Sequence, residues 1–230
     1  LWNIDLTLVD VARVSRDAYA EAFRRVTGRP LVALPQLAGA SDSEIFFESL
    51  ALNEALPGAD QTDSDDLLAR YHAELAAAFG ARRGLLASHG RVLPGAREAL
   101  AAVSRLPGVI QTVLTGTIKE NAAEKLRAFD LDTHLDLGIG GFGSDVYPKG
   151  TQILRSLAMA TEKYGVQLSV GSTVYLADST RDVAAAKIVG ARCIGVASGR
   201  STASELRDCG AGEVLDDLAY TAAVVAAIGR

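Results

Sequence analysis

Cysteine is scarce in this chain: Cys193 and Cys209 are the two thiols in 230 residues. They match no metal-ligand spacing and are too few for a disulfide framework, so two ordinary thiols in a reducing compartment are expected. Long apolar runs are missing as well. No stretch approaches the roughly 18 uninterrupted apolar residues that a membrane span requires, and nothing has the layout of a secretory leader. A cytoplasmic location with no membrane partner follows by default. Basic blocks are also absent, and the net charge is −5, which argues against a nucleic-acid surface. The three histidines, His72, His89 and His134, share no ligand spacing.

What is present is an ordinary globular composition, 49% hydrophobic and 22% charged. The length suits one large domain, or a core carrying a smaller inserted one. The chain opens at Leu1 already inside an apolar strand, so residues upstream of Leu1 are expected.

The pattern after Asp10 is helical. Val14, Ala18, Ala22, Phe23 and Val26 fall at helical spacing through Val11–Thr27, and Gly28-Arg29-Pro30 stops the run. Ser41-Asp42-Ser43-Glu44 reads as a capped, acidic helix start ahead of Ile45, Phe46 and Leu50, with Leu56-Pro57-Gly58 as its end. Asp63-Ser64-Asp65-Asp66 opens a third helix, closed by Gly80. Residues 11 to about 85 thus hold helices and no convincing strand.

From Leu93-Pro94-Gly95 the pattern alternates. Helices are expected at Ala96–Leu106, Lys119–Phe129, Gly150–Tyr164, Arg181–Val189 and Ser204–Asp208, then in the tail. A β-rich run covers Val109–Leu114, and a short apolar run, Leu135–Ile139, ends at Gly140-Gly141. Strands are expected at Thr173–Leu176, Cys193–Val196 and Glu213–Leu215. This alternation implies βαβ units. The expected fold is α/β: a Rossmann-like parallel sheet with helices on both faces, interrupted after its first strand by an all-helical cap. Residues 1–12 and 90–230 would form the core and 13–89 the cap.

Four polar clusters fall at strand-to-helix junctions, where such sheets bind ligands. The first is Asn3-Ile4-Asp5-Leu6-Thr7; if the strand stays extended, its three polar side chains share one side. The others are Thr115-Gly116, Lys149, and Asp178-Ser179-Thr180-Arg181-Asp182. Singly, Thr115 reads as a strand end, Lys149 as a solvated lysine, and Asp178 and Asp182 as a cap and a first-turn acid. In this order, the ordinary readings weaken together.

The four clusters together resemble the motifs of the haloacid dehalogenase superfamily, specifically its phosphatase-like members with a helical cap after strand one. The resemblance spans essentially the whole chain, including Thr117-Ile118-Lys119-Glu120-Asn121-Ala122 and Phe142-Gly143-Ser144-Asp145, and is nearest to the phosphoglycolate-phosphatase-like branch. Two positions depart from it. Ala177 stands where the family usually has Gly, and Asn3 stands where it has its nucleophilic Asp.

The resemblance implies a phosphoric monoester hydrolase acting on a small phosphorylated metabolite through an aspartyl-phosphate. Residue 3 would be the nucleophile and Asp5 the general acid/base. Mg²⁺ would be held by residue 3, the Asp5 carbonyl and Asp178, with Asp182 bound through water or orienting Lys149. Thr115, Gly116, Thr117 and Thr7 would bind the phosphoryl end, and Lys149 would supply positive charge. Asp5 argues for phosphate over halide, since halide leaves without a proton.

With Asn3 in place this chemistry is withheld, because an amide is a poor nucleophile and brings no charge to the metal. The chain is expected to be inactive or impaired as a phosphatase. The alternatives are a non-catalytic protein that binds a phosphorylated ligand or regulates, and, third, a dehalogenase. Substrate choice should lie in the cap, with Arg13, Arg16, Asp17, Tyr19, Ser41, Asp42 and Ser43 as candidates and Gly39-Ala40-Ser41-Asp42 as a turn able to approach a ligand closely. Hinges are expected near Asp10–Ala12 and Arg91–Pro94, and Tyr147-Pro148 is expected to stiffen the loop before Lys149.

Overall fold

The computed structural model describes residues 1–56, 64–145 and 148–229. The expected stop at Pro57-Gly58, the helix start at Asp63 and the stiffening role of Tyr147 lie outside these residues.

The chain runs through β1 (Val9–Asp10), α1 (Ala12–Thr27), α2 (Asp42–Leu52), α3 (Ser64–Gly80), α4 (Leu86–His89), β2 (Arg91–Val92), α5 (Ala96–Val103), α6 (Lys119–Arg127) and α7 (Lys149–Tyr164). It continues with β3 (Val174–Ala177), α8 (Thr180–Val189), β4 (Arg192–Val196), α9 (Ala203–Cys209), β5 (Glu213–Leu215) and α10 (Thr221–Ile228).

The sheet is parallel. β3 pairs β4 and β4 pairs β5. On the other side of β3, Trp2 bridges both Leu176 and Val113, and Leu114 bridges Gly141. Taken in space, the segments at Gly141, Val113–Leu114, Trp2, β3, β4 and β5 follow the order 3-2-1-4-5-6, the doubly wound order of a Rossmann-type sheet. The order reverses between Trp2 and β3.

Side chains alternate across this sheet as a strand period of two requires. Trp2, Val113, Leu176 and Ile194 join α5, α6 and α10 in one core, which continues into α1–α3. Leu114, Tyr175, Ala177 and Cys193 face the opposite way onto α7, α8 and α9. Helices therefore cover both faces, as expected.

The β-rich run shrinks, and the apolar run after it stays outside the sheet. In the Val109–Leu114 run, only Val113 and Leu114 form bridges. Leu135–Ile139 is not a strand: Asp136 Oδ1 accepts the Gly138 N–H at 3.0 Å, a local turn that competes with extension. Pairing resumes only at Gly141, whose N–H donates to Val113 O at 3.0 Å.

The helical block forms for local reasons. α1 buries Val14, Ala18, Ala22 and Phe23 on one face and ends where Gly28 takes a left-handed φ of 72°. α2 begins with a capping box, Ser41 to Glu44. Phe46 of α2 stacks on Tyr71 of α3 with ring centroids 4.0 Å apart. The two crossings between block and sheet run side by side: β1 pairs β2 antiparallel, and Arg91 reaches Asp10 at 3.0 Å.

Candidate active site

The central segment delivers Asn3 to the carboxyl edge of the sheet, and its neighbour β3 delivers Asp178 beside it. The Asn3 N–H still belongs to the ladder, donating to Leu176 O at 2.9 Å. Both residues sit at the point where strand order reverses, the crevice in which doubly wound sheets bind ligands.

Extension ends there. Leu6 adopts a left-handed φ of 58°, unusual for a branched residue. The N–H groups of Thr7, Leu8 and Val9 all turn back onto Ile4 O. The expectation that Asn3, Asp5 and Thr7 line one side of an extended strand is therefore corrected. A turn gathers Asn3 and Thr7, while the Asp5 side chain points elsewhere.

The Asn3 amide nitrogen donates to Asp178 Oδ1 at 2.9 Å, to the Asp5 carbonyl at 3.0 Å and to Thr7 Oγ1 at 3.4 Å. The Thr7 hydroxyl donates to the same Asp178 oxygen at 3.0 Å. A carbonyl and a carboxylate both accept, so the NH₂ end of Asn3 must face them. Burial, and secondarily the charge of Asp182, push the Asp178 carboxyl up to about 7, against the hydrogen bonds from Thr7 and Asn3.

These are the groups the resemblance assigns to Mg²⁺, and they do not fit it as they stand. Mg²⁺ takes an octahedron of oxygens, whereas here an N–H donor occupies the point on which the Asp5 carbonyl and Asp178 converge. Among the described residues, no group of three or more His, Cys, Asp or Glu side chains is placed to hold a metal ion.

Asp182 is fully buried and anchors Lys149. It accepts from Lys149 Nζ at 2.5 Å, the Tyr175 hydroxyl at 3.0 Å and the Ser179 hydroxyl at 2.5 Å. Ser179 also caps α8 by accepting the Asp182 N–H at 3.2 Å. Asp182 is thus both a first-turn acid and the partner that holds a lysine at the site.

Thr115 follows the second strand segment, its N–H donating to Gly141 O at 3.0 Å and its hydroxyl accepting the Thr117 N–H at 3.2 Å. Gly116 is pressed against the helical block: a Cβ there would lie 2.1 Å from Ala40 O. The Asp42 N–H donates to Gly116 O at 2.8 Å. Asp42 is buried, accepting the Tyr19 hydroxyl at 2.6 Å and the Ile118 N–H at 2.8 Å; burial pushes its carboxyl up. Ser41 is spent on the α2 cap, and Ser43 Oγ donates to Gly143 O at 3.1 Å.

These residues enclose a cavity of about 90 Å³. Its floor includes Asn3, Asp5, Thr115, Gly116, Lys149 and Asp178. Above it stand Ser15, Arg16, Tyr19, Gly39, Ala40 and Asp42. Ser15 Oγ is buried and has no hydrogen-bond partner among the described residues. Arg13 and Asp17 are exposed on α1.

Arg200, which lines the cavity, and Lys125, beside Asp5, escaped the sequence reading. Lys125, in α6 and 2% exposed, places Nζ 2.8 Å from both carboxylate oxygens of Asp5 and 2.9 Å from Thr117 Oγ1. The Thr117 hydroxyl in turn donates to Asp5 Oδ2 at 2.8 Å. The available signal was positional: Ala122, Lys125 and Leu126 lie at helical spacing on the face that α6 buries.

The profile of the haloacid dehalogenase-like hydrolase family matches residues 1–187. The chain belongs to that family. No curated protein matches it. Among solved structures, it is similar to a hydrolase from Pseudomonas syringae, at 21% identity, TM-score 0.64, with 94% of this chain and 92% of that one covered. It is also similar to a predicted phosphoglycolate phosphatase from Haemophilus somnus, at 18% identity, TM-score 0.67, covering 97% and 96%. A family IA, variant 3 hydrolase from Entamoeba histolytica matches at 18% identity, TM-score 0.69, covering 100% and 98%. At these identities the structural likenesses show a shared fold, and this haloacid dehalogenase-like chain carries that fold over essentially its full length.

Proposed function

We propose that this is a phosphatase-type site for a small phosphorylated metabolite, held in a non-hydrolysing form by Asn3. The observation that carries the reading is the meeting of residue 3, Asp5, Thr115, Lys149 and Asp178 around one cavity at the reversal of strand order. The cavity supports a small ligand. Its volume of about 90 Å³ and its polar floor suit a small anionic group.

In the form with a carboxylate at position 3, made by Asn3→Asp, that carboxylate attacks phosphorus and the bond to the leaving alcohol breaks. Asp5 gives its proton to the alcohol, then takes one from the water that attacks the aspartyl-phosphate. Thr115 and the Gly116 N–H bind phosphoryl oxygens, and Lys149, steered by Asp182, neutralises their charge. Phosphatases of this family generally use Mg²⁺, and the Asp form restores the oxygen and the charge that such a cation needs. Residues 13–89 act as the cap, with the β1–β2 ribbon as its double hinge. The free thiols of Cys193 and Cys209 suit a reducing cytoplasm, and no helix among the described residues is long and apolar enough to cross a membrane.

With Asn3, loss of the nucleophile is expected to cost about 10⁶-fold in kcat. The second reading, a non-catalytic phospho-ligand-binding protein, is favoured by one observation: the Asn3 amide is hydrogen-bonded where it stands. The test is a broad phosphomonoester panel assayed with Mg²⁺ on the Asn3→Asp variant. Turnover at least about 10³-fold above that of the chain with Asn3 supports the phosphatase. No turnover across the panel sinks it and leaves the binding protein. Chloride release from 2-haloacids by the variant would instead mark a dehalogenase.

A further inference from the structure

Lys125 belongs to none of the motifs assigned above, yet its environment is costly. An ammonium that is 2% exposed has lost its water, and burying such a charge costs several kcal/mol before pairing, by typical effective penalties. Its compensation comes from the Asp5 carboxylate, the Thr117 hydroxyl and the ring of Phe79, whose centroid lies 5.6 Å away. A buried apolar side chain at 125 would avoid that cost.

The geometry of the pair explains what the charge does. Nζ sits 2.8 Å from each oxygen of Asp5, and Thr117 fixes one of those oxygens from a second direction. Two donors, one from α6 and one from the turn ahead of it, therefore define the plane and rotation of the Asp5 carboxylate. The side chain of Asp5 is 36% exposed at the cavity, so without these contacts it has water and several rotamers to choose from. An acid that must reach one leaving oxygen loses efficiency when its orientation is free.

Resting on the phosphatase reading, we infer that Lys125, with Thr117, is the positioning residue for the general acid/base Asp5. Lys125 acts through Asp5: its ammonium holds that carboxylate and has no contact assigned to the substrate. Its contribution appears only in steps where Asp5 moves a proton.

That separates it from a structural lysine, because the need for a proton depends on the leaving group. An alkyl alkoxide is a poor leaving group and must be protonated as it departs, whereas p-nitrophenolate leaves without help. The experiment is made on the Asn3→Asp protein, comparing Lys125→Met and Lys125→Gln with its parent on p-nitrophenyl phosphate and on a small alkyl phosphate. Expected is a fall in kcat of roughly 10²-fold or more on the alkyl ester, the scale of general acid catalysis, with under about 10-fold on the aryl ester. KM should stay within about threefold for both, since phosphate contacts are untouched.

Thr117→Val, which removes one hydroxyl and leaves the ammonium in place, should show the same leaving-group split at smaller size. It also keeps the inference testable should both Lys125 variants fail to fold. Equal losses on the two esters, a rise in KM without a change in kcat, or no loss would overturn the role of Lys125 while leaving the phosphatase standing. An inactive Asn3→Asp parent overturns both.

Discussion

The amide of Asn3 differs by one heavy atom from the carboxylate that the proposed chemistry needs, and its consequences reach beyond nucleophilicity. Its NH₂ group donates to Asp178 and to the Asp5 carbonyl, so it satisfies two buried acceptors that would otherwise face each other. Asn3→Asp puts a second carboxylate 2.9 Å from an oxygen of Asp178, which already resists ionising. Without metal, the variant should be less stable than the parent at pH 8 by about 2–4 kcal/mol, the scale for a buried unpaired charge or lost charged hydrogen bond. Thermal melts should then show millimolar Mg²⁺ raising the midpoint of the variant and leaving that of the Asn3 chain unmoved. An equal Mg²⁺ shift in both would contradict the donor geometry described here. Legibility at this scale was uneven. Asn3, Asp5, Thr115, Lys149 and Asp178 stood out because each ends a strand or opens a helix. Lys125 did not, since a lone lysine in an exposed-looking helix ordinarily lies in water, and only the fold brings Asp5 to it across 120 residues of sequence.

At the scale of elements, α2 and α3 together latch the helical block to the sheet. Ser43 of α2 donates to Gly143 O, and the His72 ring of α3 lies 2.9 Å from the same hydroxyl. Burial holds His72 below its ordinary value of 6.5, with Glu120 opposing. A histidine with a depressed pKa in the folded protein stabilises it fully above the unfolded value. That contribution is lost as pH falls from 6.5 toward the folded value. Melts between pH 7.5 and 5 should therefore show a steeper loss for the parent than for His72→Gln, with the two curves diverging below about pH 6.5. Parallel curves would remove His72 as the source. Sequence patterning gave some helices well: α1 and α9 fall within a residue or two of expectation because caps and periodicity are local, whereas α2 ends at Leu52, ahead of the expected end at Leu56. It left Leu135–Ile139 as an apolar run without an assigned element, because the turn at Asp136 depends on a side-chain hydrogen bond.

For the whole molecule, access to the site is governed by how the turn at Gly39–Ser43 meets the sheet. A Cβ at Gly39 would come within 2.5 Å of Ser179 Oγ, one at Gly116 within 2.1 Å of Ala40 O, and one at Gly143 within 1.7 Å of Gly116 O. Close glycine contacts therefore seat the Gly39–Ser43 turn on the sheet, alongside the apolar core that α1–α3 share with it. Gly116→Ala should hold the block away from the sheet. Hydrogen exchange at residues 40–43 and 116–118 should then speed up by 10-fold or more, about 1.4 kcal/mol of lost protection, with little change in β3 and β4. Unchanged exchange would place the seating of the turn elsewhere.

The amino-acid sequence by itself determined the alternation of strand and helix, the insertion after the first strand and the four polar clusters, because each is written in short-range signals: periodicity, caps and turn residues. Tertiary structure alone decided the rest. The reversal in the sheet order 3-2-1-4-5-6 rests on pairing between segments distant in the chain, Trp2 with Val113 and with Leu176. It also decided that the NH₂ of Asn3 stands between Asp178 and the Asp5 carbonyl, and that a buried lysine from α6 holds Asp5. Those facts depend on which groups share a few ångströms of desolvated space, and spacing along a chain carries no record of that.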